Sequence, residues 1–514
     1  MKTEKNYDLV IIGGGITGAG ILRLASRMGL KVLLAEKNDF AWGTSSKSSK
    51  LVHGGLRYLK QGQIHLTWES VREREKLMAQ APGLVDPIDF LMPIIEGKGP
   101  GRSTLSAGLT LYDLMAGQVT HTYHKKEVFS GMMPHMTNTD LKGGFRFMDA
   151  QTDDARLVLR LINEAVAEGA SAINYTAVEK VRRDSTGAVS GVVLKDSETG
   201  EETIVNCAAV INATGSWAES IHPSPKQKLH LRPLRGSHLV IPAPRLPIHQ
   251  AVTLIHPDDD RPLFVIPWEG AVILGTTDID HGEEISKEAV MSREEAEYMM
   301  TCLNAYFPSA SLTLSDCISS FAGIRPVLSK KDRDPSKESR EHVVWIDKGL
   351  VTVTGGKMTT FRVLAIDAIS AVRPWLPSAP RIPSRLPAFD PVIPESHRSS
   401  GLLAGVIRRL YGRYGALASQ LIDRADPKDL SFIPGTMTLW AELPFVAETE
   451  QVRHLSDILL RRVRAGIVLP DGGREYLDRI QALCEPHLDW DSEKWKKERQ
   501  DYMDHWQWAY SPVR

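Results

Sequence analysis

Residues 7–37 read YDLVIIGGGITGAGILRLASRMGLKVLLAEK. An apolar run is followed by a glycine cluster, an amphipathic stretch closed by Gly29, and a second apolar run, a pattern that predicts strand, helix and strand in one βαβ unit. Gly13, Gly15 and Gly18 fall at G-x-G-x-x-G spacing directly after the first strand. The first allows a tight turn, and the second lets backbone N–H groups approach a pyrophosphate at the positive end of the helix, beside Thr17. The third permits close packing of helix on strand. Glu36 ends the second strand at the spacing expected of an acid that accepts hydrogen bonds from adenosine ribose, where a carboxylate repels a 2′-phosphate. A glycine triplet alone is a weak signal; strand, glycines, helix, strand and acid in this order predict a bound dinucleotide.

Working outward, Thr44-Ser45-Ser46-Lys47-Ser48-Ser49 and His53-Gly54-Gly55 form a second segment rich in hydroxyls and glycine. Helix capping would also account for hydroxyls there, but so much additional holding suits a resident cofactor better than a mobile nicotinamide. Strand-like runs recur at Ala208–Ala213, followed by Gly215, and at Leu350–Thr354. The second is followed by Gly355-Gly356-Lys357-Met358-Thr359-Thr360, which repeats the strand, glycine, helix logic and would aim amides and an ammonium at one edge of a ring system. The edge of a flavin that becomes anionic on reduction suits that geometry.

The chain of 514 residues is too long for one core. The nucleotide-binding pieces are expected at 1–90, 150–235 and 340–375. Prolines and turn signals such as HPDDDRP within Leu239–Thr277 predict a largely antiparallel second domain, placed at 91–149 and 236–339. Seven prolines in Arg373–His397 predict a linker, and LLAGVIRRLYGRYGALASQLI opens a helical domain at 390–514. Its last residues carry Trp490, Trp495, Tyr502, Trp506, Trp508 and Tyr510 with a Lys/Arg cluster. Such an end suits either a membrane interface or packing within the domain or across a homodimer.

A net charge of −1 provides no global field for nucleic acid. Four cysteines, at 207, 302, 317 and 484, have no metal-ligand or disulfide-framework spacing, so no metal is expected. With no signal-like apolar stretch at the N-terminus and no run of about 18 apolar residues, the chain is expected in the cytoplasm, with any membrane contact peripheral, on the inner face.

The strings IIGGGITGAG, TSSKSSKLVHGGLRYL, TDDARLVL, NATGSWA, RGSHLVIP, GTTDID, GIRPV and TGGKMTTFR, in this order, resemble the FAD-dependent, aerobic-type glycerol-3-phosphate dehydrogenases over nearly the full length. HLSDILLRRVRAGIVL resembles the helical cap of that family. The resemblance implies an α/β fold: a Rossmann-like FAD-binding domain of the glutathione-reductase and D-amino-acid-oxidase kind, an antiparallel-sheet substrate domain and an α-helical C-terminal domain. It also implies oxidation of sn-glycerol 3-phosphate to dihydroxyacetone phosphate by hydride transfer to flavin N5, with electrons passed to a membrane quinone. Another polyol phosphate, or O2 as acceptor, is the alternative, although the glycerol-phosphate oxidases of this group tend to carry an insertion that is absent between Arg325 and Lys357. An amine or amino-acid oxidase on the same fold would need a carboxylate clamp and would lack a reason for HGGLRY, and the intact set of pocket residues argues against a flavin-bearing sensor that has lost catalysis.

Carried over, the resemblance marks Gly13, Gly15, Thr17, Gly18, Glu36, Thr44, Ser45, Ser46, Ser49, Gly54, Gly55, Ala213, Gly215, Gly356, Lys357, Met358 and Thr359 for the cofactor. For the substrate it marks Arg57, Tyr58, Arg325, Arg340 and Lys357. Guanidinium forks are the strongest side-chain partners of a phosphate monoester; Arg340 could equally pair with Glu338 or Glu341. Alcohol oxidation needs a base within hydrogen-bond reach of the hydroxyl. His238 is the expected one, with His53 and Lys357 as competitors and Arg325 beside them. Where the family often has a tyrosine three residues after GTTD, this chain has His281.

Overall fold

The computed structural model describes residues 4–512 apart from 61, 134, 137–139, 223–229, 330–341, 379–380, 383–385, 393, 396 and 398–399. The run that opens the chain forms the strand Asn6–Ile12, which pairs in parallel with Val32–Ala35 on one side and Glu202–Asn212 on the other. Ser171–Ile173 and Leu350–Gly355 extend the parallel sheet outward. His342–Asp347 closes one edge antiparallel, and Thr176–Arg183 and Val189–Asp196 fold back from Glu202–Asn212. A parallel strand buried on both faces needs a continuous apolar run. Leu9 and Ile11 accordingly pack with the helices Ile16–Arg27, Asp154–Ala167 and Phe361–Val372, while Val10 and Ile12 pack with Val178, Val192 and Leu194 of the folded-back strands.

The second sheet is mostly antiparallel. His230–Pro242 lies between Ser319–Ser329 and Ala271–Gly275, and Pro262–Trp268, Ala251–Ile255, Val85–Ile95 and Leu141–Thr152 continue the sheet. The chain crosses between sheets earlier than expected. Leu51–Val52 pairs with Gln151 and Ala150 of this sheet, and Val85–Ile95 begins before residue 91, so part of 1–90 belongs to the second layer. Beneath it sits helix Arg293–Tyr306, started by a Ser292/Glu295 capping box.

The proline-rich stretch is less detached than its composition predicts. Phe389 is fully buried, and Arg23 of the first helix donates to Ala388 O (3.2 Å) and Asp390 (2.8 Å). Beyond it the C-terminal helices, including Ala404–Tyr414, Glu442–Thr449 and Ser492–Ala509, enclose Trp495, Tyr502, Trp506 and Tyr510 in a core that continues onto Val240, Trp268, Ile273 and Phe321 of the second sheet. The terminal aromatics therefore pack inward; Trp508, 54% exposed, is the exception. Among the described residues no helix is long and apolar enough to cross a membrane.

Candidate active site

Gly13 has φ 107°, in the region open to glycine, and a Cβ on Gly18 would stand 1.9 Å from the Gly13 carbonyl oxygen. The turn and the close packing of helix Ile16–Arg27 therefore both depend on missing side chains. Glu36 closes this end: its carboxylate accepts from the amides of Gly14 (2.6 Å) and Asn38 (2.9 Å), and burial pushes its carboxyl up against those two bonds. Ser45 Oγ accepts from the Ile16 amide at 2.9 Å, bringing the serine-rich segment onto the helix N-terminus.

From here a cavity of about 1370 Å³ runs between the two sheets to the turn at Gly355-Gly356-Lys357. Gly13, Gly15, Thr17, Glu36, Thr44, Ser45, Ser49, Gly55, Ala213, Gly215, Gly356, Lys357, Met358 and Thr359 line it. Gly18, Ser46 and Gly54 do not. Gly18 packs behind Gly13, Ser46 offers its carbonyl to Lys50 Nζ (2.7 Å), and Gly54 lies against Val71 and Tyr112 with its amide on Asp149 (3.1 Å). Asp149 was not legible as a site residue. It also takes bonds from Arg74 (2.8 Å) and Tyr112 (2.9 Å), so a buried ionic knot fixes the His53-Gly54-Gly55 turn. Ala177, Val178 and Trp42 are further walls without a sequence signal, and Trp217, the tryptophan of NATGSWA, is another wall.

Arg57, Tyr58, Arg325 and Lys357 line the same cavity. Arg325 donates to Asp278 Oδ1 (3.0 Å), Thr276 Oγ1 (2.9 Å) and Thr277 O (3.3 Å), while Arg57 lies 3.9 Å from the other Asp278 oxygen. Lys357 Nζ donates to Ser70 Oγ and stands 4.5 Å from the centre of the Tyr58 ring. Arg261, passed over within HPDDDRP, adds a third guanidinium to the lining and donates to Asp278 O at 3.2 Å. Arg340 lies outside the described residues.

The histidines divide differently from expectation. His238 is fully buried and does not line the cavity; it stacks on Phe321 at 4.6 Å with Nε2 2.9 Å from Ser49 Oγ. Burial, with Lys50 and Arg325 nearby, pushes its imidazole well below the ordinary value. The ring lies on the same strand face as Gly323 and Arg325, which do line the cavity, but the Ser49 segment is laid across it. His53 does line it, its carbonyl accepting from Thr359 Oγ1 (3.1 Å), which joins the two glycine turns. Burial, then the positive charges of Lys357 and Arg57, push its imidazole down to about 4 against the Asp149 carboxylate.

Helix amides and an acid at one end, hydroxyls along the middle, and glycine-borne amides with an ammonium at the other end form a donor set that fits FAD lying along the cavity. Residues 8–362 match the family described as FAD dependent oxidoreductase, and 390–495 match the C-terminal domain of alpha-glycerophosphate oxidase. The chain is 34% identical over 489 residues to the aerobic glycerol-3-phosphate dehydrogenase of Staphylococcus haemolyticus, covering 89% of this chain and 87% of that one. The enzyme of the same name from Staphylococcus aureus USA300 is 35% identical over 482 residues, covering 89% and 86%. The glycerol-3-phosphate dehydrogenase of Bacillus halodurans complexed with FAD superposes with a TM-score of 0.78 at 28% identity, covering 99% and 96%. The L-alpha-glycerophosphate oxidase of Mycoplasma pneumoniae shares the fold, with a TM-score of 0.59 at 18% identity over 75% of this chain and 99% of that one. The motifs, the two sheets with their helical cap and these likenesses agree: the chain belongs to the family of FAD-dependent, aerobic-type glycerol-3-phosphate dehydrogenases.

Proposed function

We propose that the protein binds FAD and oxidises sn-glycerol 3-phosphate to dihydroxyacetone phosphate, the electrons passing on to a quinone at a membrane surface. The observation that carries this is the pair of guanidiniums, Arg325 and Arg57, set about the Asp278 carboxylate in the cavity that Lys357 also lines. A phosphate monoester is near −2 at neutral pH, and charge-assisted bonds from paired guanidinium groups hold such a dianion in one orientation. Asp278 keeps Arg325 aimed and tempers the positive charge while no substrate is bound. FAD supplies the two-electron acceptor for the hydride that leaves the secondary carbon.

The alcohol proton has to go to a group that is neutral and within reach of the cavity. His53 meets both conditions, whereas His238 is screened from the cavity by Ser49. A dianion bound beside His53 raises its proton affinity toward neutrality, because a nearby negative charge favours the charged imidazolium. The base is therefore reassigned from His238 to His53, and His238 becomes a support for Ser49. The Lys357 ammonium opposes negative charge that builds up around it, and its bond to Ser70 fixes its position.

Ile64 and Trp68 on helix Ile64–Gln80 and Leu111 and Leu114 on the adjoining helix Arg102–Ala116 are exposed. These side chains support peripheral membrane contact there. The test of the reaction is anaerobic mixing of the FAD-loaded protein with glycerol 3-phosphate and, in parallel, with glycerol. Bleaching of the flavin absorbance by the phosphate ester alone is expected; a flavin left oxidised by glycerol 3-phosphate rejects the substrate.

A further inference from the structure

The serine-rich wall of the cavity is held from behind by the C-terminal helical unit. Within residues 39–50 the regular structure is one short 3-10 turn, Thr44–Ser46. Ala41 (φ 61°) and Lys50 (φ 59°) near its two ends adopt left-handed backbone. That conformation crowds Cβ against the following carbonyl oxygen, and it persists where surrounding contacts over-determine it.

Several of those contacts come from residues more than four hundred positions later. Arg462 grips the buried Asp39 carboxylate with Nη1 (2.6 Å) and Nη2 (2.8 Å), and Arg461 Nε donates to the same group while its Nη2 reaches Asp457 (2.5 Å). Against the upward push of burial, the charges of Arg462 and Arg461 hold the Asp39 carboxyl well below its usual range. Arg464 donates to Ser46 O at 2.7 Å and lies 3.3 Å from Asp154, whose other oxygen accepts from Ser48 N (2.9 Å), Ser48 Oγ (2.7 Å) and Lys50 Nζ (2.8 Å). Arg461 and Arg462 leave one π-helical turn, Ile458–Arg462, a rare winding that recurs at functional sites.

Interface stability alone is a weak reason to bury so many charges, since desolvation cancels much of the attraction and well-packed apolar residues of similar volume hold as firmly. Arg409 joins the same C-terminal unit to Glu269, in the turn after Pro262–Trp268, and to Glu442, neither of which belongs to the 39–50 segment. Arg461, Arg462 and Arg464 instead fix a segment whose Thr44, Ser45 and Ser49 line the cavity, with Ser45 seated on the helix N-terminus. We propose that the C-terminal helical unit is a component of the cofactor site, with Arg461, Arg462 and Arg464 as positioning residues that set the 39–50 segment against FAD. FAD binding is presupposed; the identity of the substrate is not.

The experiment follows loss of FAD from full-length holoenzyme through an ultrafiltration membrane, alongside melting temperature and, at saturating FAD, KM for glycerol 3-phosphate. Arg464→Met is expected to release FAD at least about tenfold faster, and Arg464→Lys, which keeps the charge but loses the planar fork, about threefold faster. KM at saturating FAD stays within about twofold of wild type in both, because neither touches the cavity arginines. Arg409→Met is expected to melt lower while releasing FAD at the wild-type rate. If Arg464→Met does not fold, Arg464→Lys carries the test against its own threshold. Wild-type release from the folded Arg464 variants overturns the proposal, as does equally fast release from Arg409→Met, which would mean general loosening. A wild-type protein that takes up no FAD would instead reject FAD binding itself.

Discussion

Arg325 Nη1 donates to Asp278 Oδ1 at 3.0 Å, and the second oxygen of the same carboxylate lies 3.9 Å from Arg57. One acid thus steers two cavity guanidiniums, only one of which it holds at hydrogen-bond distance. Arg325→Ala should lower kcat/KM for glycerol 3-phosphate by on the order of 2–4 kcal/mol, about 30- to 1000-fold, because it leaves the dianion short of its best-aimed partner. Asp278→Asn should cost less and act mainly on KM. Steady-state kinetics decide both, and wild-type constants in Arg325→Ala would remove that residue from the site.

His53→Asn should slow anaerobic flavin bleaching by glycerol 3-phosphate by about 10²-fold or more, the range for loss of a general base. His238→Asn should leave a faster bleaching step than His53→Asn, since its ring reaches the cavity only through Ser49. The reverse order in stopped-flow traces would return the base role to His238.

The depressed His53 pKa has a stability consequence. Between the ordinary value of 6.5 and about 4 the unfolded chain binds a proton that folded His53 refuses, so stability falls as pH drops through that window. Melting temperatures of wild type and His53→Asn measured from pH 7.5 to 4.5 should diverge, with the shallower slope in the variant. Parallel slopes would mean that the environment of His53 does not disfavour its charged form.

Gly18→Ala should yield protein depleted of flavin, because the added methyl would meet a backbone oxygen at 1.9 Å that no rotamer change can relieve. The ratio of flavin to protein absorbance after purification reads this directly. A full complement of FAD would show that the turn can open without loss.

Reoxidation should be faster with a short-chain quinone than with O2, measured by the return of flavin colour after substrate reduction. Sedimentation with anionic vesicles should weaken in a Trp68→Ser, Leu114→Ser double variant and persist in Trp508→Ser, since the first pair lies on adjoining exposed helices. Equal sedimentation of all three proteins would move the contact elsewhere.

Much of the site was legible because its signals are local. Gly13 is followed at once by the helix it releases, Glu36 ends the very next strand, and Gly355-Gly356 follows a buried apolar run, so a few neighbouring residues encode each turn. His238 shows the limit of such signals. RGSHLV announces a polar residue on a strand, but whether its ring reaches the cavity depends on the distant Ser49 segment that packs over it. Arg261 was missed for a related reason, since a basic residue in a charged loop looks the same whether it faces water or a cavity.

The sequence by itself determined the βαβ unit, the dinucleotide turn and the helical end of the chain, all of which follow from hydrophobic period and turn chemistry over short spans, while the arginines were marked by family resemblance and not by any local pattern. Only the tertiary structure decided that Asp149 anchors the His53 turn, that Asp278 links Arg325 to Arg57, and that Arg462 reaches Asp39 across 423 positions. Charged groups that far apart have no pattern in common along the chain. They find one another because folding buries them together, and a buried carboxylate is tolerated only where the packing of distant elements brings a guanidinium to it.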